Sequence, residues 1–126
     1  MKAIHTSNAP AAIGPYSQAI QVGNFLFTSG QLPIVPETGN IEAQDIKGQT
    51  CQSLLNVEAI LREAGISLAN VVKTTVFMAN MTDFADMNAV YSEFFTGTCP
   101  ARSAVAVRTL PKNALVEIEV VAALPD

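Results

Sequence analysis

The sequence predicts an α+β fold in which a mainly antiparallel mixed sheet carries two helices on one face. Three observations carry that expectation. An alternating stretch, "AIQVGNFLFTSG", folds back on itself at Gly23-Asn24. Two later segments place apolar residues at three- and four-residue steps, as amphipathic helices do. A β-branched run separates them, and two short alternating runs close the chain. The order ββ-α-β-α-ββ, without internal repeat or linker, fits one domain over residues 1–126.

Each element has a local reason. A two-residue Gly-Asn loop suits a II′ turn, so residues 18–22 and 25–29 are expected to pair. "QLPIVPETGN" is rich in Pro and Gly and must be a loop. Ile46, Thr50, Leu54, Val57, Leu61 and Ala64 then form one helical stripe, with Asp45 as N-cap and Gly65 as the stop. "NVVKTTVFM" (70–78) is short and β-branched, hence a strand. In "TDFADMNAVYSEFF", Asp83 is placed to cap a second helix, with Phe84, Met87, Tyr91 and Phe94 facing inward. Strands at about 103–108 and 115–123 follow, separated by "LPKN".

Composition excludes several functions. With 49% hydrophobic and only 14% charged residues, the chain is poor in groups to cover its own surface. Burial of some apolar surface against further copies is therefore expected. The net charge of −4 and seven scattered Lys and Arg argue against nucleic acid or an anionic membrane as partner. Cys51 and Cys99 have neither metal spacing nor disulfide-scaffold density and read as free thiols in a reducing compartment. His5 has no second ligand beside it, so no metal site is expected. The opening residues contain no apolar leader, and no run is long and uncharged enough to cross a bilayer. The expectation is a cytoplasmic protein.

No phosphate-binding glycine loop and no Ser-His-Asp set occurs in the sequence. The remaining candidates are Arg102 at a strand entry, Glu117 and Glu119 inside an apolar strand, Tyr16 in "GPYS", Ser29-Gly30 in "FTSGQ", and Asn88 on the second helix. Glu117 and Glu119 are two apart and share one sheet face. Taken singly, each has an ordinary structural reading as a solvated charge or a turn residue.

Together, "APAAIGPYSQAI", "FTSGQLP", "VVKTTVFMANMTDFADMNAVYSEFF", "CPARSAVAV" and "LPKNALVEIEVVAAL" resemble, in that order, the signatures of the Rid family of enamine/imine deaminases. The resemblance runs from Asn8 to Ala123, and the P-A-R-S element and the V-E-I-E strand are its most specific parts. It implies a chorismate-mutase-like fold and a homotrimer with pockets in the clefts between subunits. It also implies hydrolysis of 2-imino acids, the tautomers of enamines such as 2-aminoacrylate and 2-aminocrotonate, to 2-keto acids and ammonia. By the same resemblance Arg102 is the carboxylate-binding residue and Glu117 activates water. Tyr16, Ser29, Gly30 and Asn88 line the substrate pocket.

Elementary chemistry makes that assignment coherent. The planar guanidinium fork grips a carboxylate bidentately, and a partly buried Glu accepts a proton from water. The imine is already electrophilic, so no metal or organic cofactor is expected. Two positions depart from the family pattern. Ala104 stands where many members carry Cys, which excludes a thiol mechanism there, and Ala106 stands where many have Glu. The alternative is a non-catalytic ligand-binding regulator, or a chaperone-like or translation-inhibiting member of the same family.

Overall fold

The computed structural model describes residues 1–125; Asp126, the last residue of the expected domain range, lies outside the described residues. Six strands and two helices follow one another as β1 (Lys2–Ile4), β2 (Ala19–Val22), β3 (Phe25–Thr28), α1 (Ile46–Glu63), β4 (Val71–Met78), α2 (Phe84–Phe94), β5 (Ala101–Ala106) and β6 (Val116–Ala123). The strands form one sheet in the order β1-β2-β3-β6-β4-β5. Only β4 and β5 run parallel, because α2 carries the chain back across the helical layer between them. Every other pairing is antiparallel.

The local signals act as their chemistry requires. Gly23 takes φ +56 between the paired residues Val22 and Phe25, while Asn24 keeps an ordinary φ, the pattern of a II′ turn. Asp45 accepts a hydrogen bond from the Gly48 amide at 3.1 Å and so caps α1. Gly65 (φ +80) ends that helix in a Schellman motif, with the Ile66 amide bonded to the Leu61 carbonyl and the Gly65 amide to Arg62.

Three expectations need correction. The strand β1 has no signal in its three residues and exists because it pairs with β2. Asp83 stands at the N-terminus of α2 but makes no capping bond, because a 3₁₀ turn over Met81–Asp83 runs straight into the helix. The strand β5 begins at Ala101, directly after Pro100, so Arg102 lies within the strand rather than at its mouth.

The helices cover one face of the sheet. Leu26, Val76, Met78, Val116 and Ile118 are fully buried there against Leu54, Val57, Ile60 and Leu61 of α1 and Met87 of α2. Burial of each such side chain is worth roughly 1.5–3 kcal/mol. Tyr91 is buried with this layer as the spacing predicts, whereas Phe84 and Phe94 pack only partly buried at its margin. Among the described residues, no layer covers the opposite face. Phe25, Phe27 and Val105 are each close to half exposed on it. None of the described helices is long and apolar enough to cross a membrane.

Candidate active site

The alternation of β6 decides where the carboxylates point. Val116, Ile118, Val120 and Ala122 turn into the core, so Glu117 and Glu119 turn to the uncovered face. Glu117 lies against the backbone of Gly30: a Cβ built there would stand 2.8 Å from both Cδ and Oε2 of Glu117. The segment is fixed in place because Gln31 exchanges two backbone hydrogen bonds with Ile118, at 2.7 and 3.1 Å. Burial holds the Glu117 carboxyl above its ordinary pKa of 4.5, and the Glu119 carboxylate on the same face adds to that shift.

Ser29 and Tyr16 belong to the same region. The Ser29 hydroxyl donates to the Ser17 carbonyl at 2.6 Å, leaving its oxygen free to accept. Tyr16 is about half exposed, and its phenol oxygen accepts weakly from the Ile13 amide at 3.4 Å. Together with Gly30, Gln18 and Lys112 it lines a mainly apolar cleft of about 360 Å³. Lys112 reaches the cleft from a turn in which both it and Asn113 adopt left-handed backbone, at φ 57 and 54. Its ammonium donates to the Gly39 carbonyl at 3.3 Å.

Arg102 stands elsewhere. It pairs in register with Thr74 on β4, and Thr74 is fully buried under the helices. Phe77, the β4 partner of Glu117, is three residues further along and points the other way. Arg102 and Glu117 therefore face opposite sides of one sheet. Arg102 Nη1 donates to Asn88 Oδ1 at 2.7 Å, and the guanidinium lies 4.7 Å from the Tyr91 ring centroid and 5.4 Å from that of Phe84. Arg102, Asn88, Tyr91, Cys99 and Pro100 line a hollow of about 430 Å³.

The Tyr91 phenol is held above its ordinary pKa, chiefly by burial. Its bond to Thr74 and the nearby Arg102 charge oppose that shift, and Cys99 adds slightly to it. It is neutral at pH 7, so its attraction for Arg102 is that of an aromatic face for a cation.

The sequence-derived set thus falls into two clusters: Glu117, Gly30, Ser29 and Tyr16 in one, Arg102 and Asn88 in the other. Sequence reasoning marks Tyr91 and Phe84 only as core residues and misses their contact with Arg102. The spacing of 84, 88 and 91 by four and three signals a shared helix face, but not what that face meets. Lys112 reads from the sequence only as part of a connecting turn. No group of three or more metal-ligating side chains occurs among the described residues.

These features define a class: a small α+β protein with its polar candidates set out on both faces of a single sheet under a two-helix layer. The chain belongs to the Rid (YjgF) family; the family model described as Endoribonuclease L-PSP matches residues 6–124. It is 58% identical over 119 residues to a RutC family protein of Pyrococcus horikoshii, covering 94% of each chain. It is 52% identical over 124 residues to the 2-iminobutanoate/2-iminopropanoate deaminase of Escherichia coli, covering 96% of each. Among solved structures, E. coli TdcF with bound serine superposes with a TM-score of 0.95 at 46% identity, covering 99% of this chain and all of the other.

Proposed function

We propose that this chain is a deaminase that hydrolyses 2-imino acids, the tautomers of 2-aminoacrylate and 2-aminocrotonate, to 2-keto acids and ammonia. In the cytoplasm that activity would protect pyridoxal-phosphate enzymes from these reactive products. The observation that carries the reading is the half-buried Glu117, seated on Gly30 with its proton affinity raised. A site that only bound carboxylates would be weakened by a carboxylate there, whereas a hydrolase needs a proton acceptor beside its water. The relative in Escherichia coli that carries the deaminase name matches over nearly the whole chain, which supports the same activity here. Serine, the ligand of TdcF, shares the α-carboxylate and α-nitrogen of a 2-imino acid.

In this reading Arg102 holds the substrate carboxylate through its free N–H edge, and Asn88 keeps the fork oriented. Glu117 takes a proton from water as the oxygen adds to the C=N carbon and hands that proton to the imine nitrogen. The resulting carbinolamine then collapses: Glu117 takes the hydroxyl proton and passes it to the amine nitrogen, the C–N bond breaks as the keto group forms, ammonia leaves, and Glu117 is again ionised. No redox change occurs. Gly30, Ser29 and Tyr16 line the pocket on the Glu117 side.

A substrate of this size cannot touch both faces of one sheet. The reading therefore requires Arg102 of one copy and Glu117 of another, as in a homotrimer with clefts between subunits. The uncovered face, with Phe25, Phe27 and Val105 about half exposed, offers the apolar surface for such an assembly. Neither Cys51 nor Cys99 is needed to hold it together.

The test is a coupled assay. A threonine/serine dehydratase generates the two enamines, and semicarbazide traps the surviving imine. Catalytic amounts of this protein are expected to suppress the trapped adduct and hasten keto-acid and ammonia release. Unchanged adduct with both substrates would refute the enzyme reading and favour a non-catalytic ligand-binding regulator or a chaperone-like, translation-inhibiting protein.

A further inference from the structure

Arg102 is held in one geometry by contacts within its own chain. Its strand fixes the Cα, paired in register with Thr74. Three side chains on one face of α2 then close around the guanidinium: Asn88 accepts from Nη1 at 2.7 Å, and the Tyr91 and Phe84 rings lie 4.7 and 5.4 Å from its carbon. The Tyr91 ring is itself immobilised. Its hydroxyl shares a hydrogen bond of 2.8 Å with Thr74 Oγ1, and its ring packs on Phe95 with centroids 4.6 Å apart. Thr74 is completely buried and Tyr91 nearly so. The strand that sets the backbone of Arg102 thus also locks the ring against which its side chain lies.

We infer that Tyr91 is a positioning residue for Arg102: its ring, tied to Thr74, fixes the plane of the guanidinium so that the fork meets a carboxylate already aligned, with Phe84 as the second wall. The inference rests on the reading of Arg102 as the carboxylate-docking residue. Contact with an aromatic face consumes none of the guanidinium N–H donors, and among the described residues only Asn88 takes one. The remaining edge stays available for bidentate contact. A long side chain without this seat would have to be ordered by each substrate as it binds, and affinity would fall accordingly.

The experiment measures imine turnover and the affinity for a stable 2-keto acid, pyruvate, in the full-length protein. Tyr91→Leu is expected to raise KM and the pyruvate Kd by roughly 3- to 30-fold, the range of a cation–π contact that is exposed to partly desolvated. The change in kcat is expected to stay within about threefold, since docking acts equally on ground and transition states. Tyr91→Phe keeps the ring but loses its tie to Thr74, and is expected to fall between the parent protein and Tyr91→Leu. Phe84→Leu, at a half-buried position, is expected to move KM in the same direction by less, and it carries the test if the Tyr91→Leu chain does not fold.

The decisive comparison repeats these substitutions in an Arg102→Ala background, where they are expected to have no further effect on pyruvate affinity. Equal losses in both backgrounds, or unchanged affinity in the Tyr91 and Phe84 variants, would overturn the inference. If Arg102→Ala alone binds pyruvate as tightly as the parent protein, the docking role of Arg102 fails first and the inference falls with it.

Discussion

Gly30 offers a test of the carboxylate that needs no change to the carboxylate itself. Its backbone lies outside the left-handed region, so alanine is conformationally tolerated. The added Cβ, however, would stand 2.8 Å from Cδ and Oε2 of Glu117 and 3.0 Å from Cγ. Ordinary carbon contacts begin near ~3.5 Å, so the carboxyl group must retreat by about 0.7–1 Å. Displacement of a catalytic group by ~1 Å can lower the rate by about 10²-fold. Stability moves little: an off-rotamer side chain costs about 0.5–1.5 kcal/mol, and Gly→Ala at a tolerant position returns about 0.4–1 kcal/mol. Gly30→Ala is therefore expected to lose about two orders of magnitude in kcat in the trapping assay while its melting temperature shifts by a few degrees at most. In the Glu117→Gln background the same substitution is expected to do nothing more. A Gly30→Ala protein with kcat within about threefold of the parent would show that the position of Glu117 seen here is not the one used for water activation.

Other outcomes follow from the same geometry. Glu117→Gln keeps size and hydrogen bonding but cannot accept a proton, so kcat is expected to fall by about 10²–10⁴-fold while pyruvate still binds; Glu119→Gln is expected to be far milder, and equal losses would reassign the base. Glu117 must be ionised to act, and its pKa is raised, so kcat/KM is expected to rise with pH through a value above 4.5 and to lose that limb in Glu117→Gln. A limb at or below 4.5 in the parent protein would contradict the desolvated carboxyl. Arg102→Ala and Glu117→Gln chains, each inactive alone, are expected to regain activity when unfolded and refolded together. With random mixing at equal amounts, about a quarter of the clefts would pair an intact Arg with an intact Glu. No recovery from a demonstrably mixed assembly would rule out a site shared between copies.

Most of the architecture is legible in the sequence because it is signalled locally. The turn at Gly23-Asn24, the Asp45 cap and the Gly65 stop are each decided by one or two residues whose conformational preferences are strong. What stays hidden depends on partners distant in sequence. The three residues Lys2–Ile4 become a strand only through β2, and β5 starts early because its parallel register with β4 extends back to Ala101. The site shows the same division. That Glu117 and Glu119 share a face follows from their spacing, but that Arg102 takes the other face depends on which β4 residue it pairs with. Tyr91 is also instructive: a helix stripe marks it as inward, and nothing in the stripe says that its ring ends beneath a guanidinium.

On the proposed reading, the separation of Arg102 from Glu117 by the thickness of a sheet has a consequence for how the protein would respond to a keto acid. A keto acid held by Arg102 of one copy and packed beside Glu117 of the next would be a non-covalent tether between chains. Whatever binds only the assembled form stabilises it by mass action, in proportion to the logarithm of its concentration above Kd. Rising keto acid would then tighten the very assembly that released it, and dilution in its absence would loosen it. Metabolite level and quaternary structure would become two readings of one equilibrium.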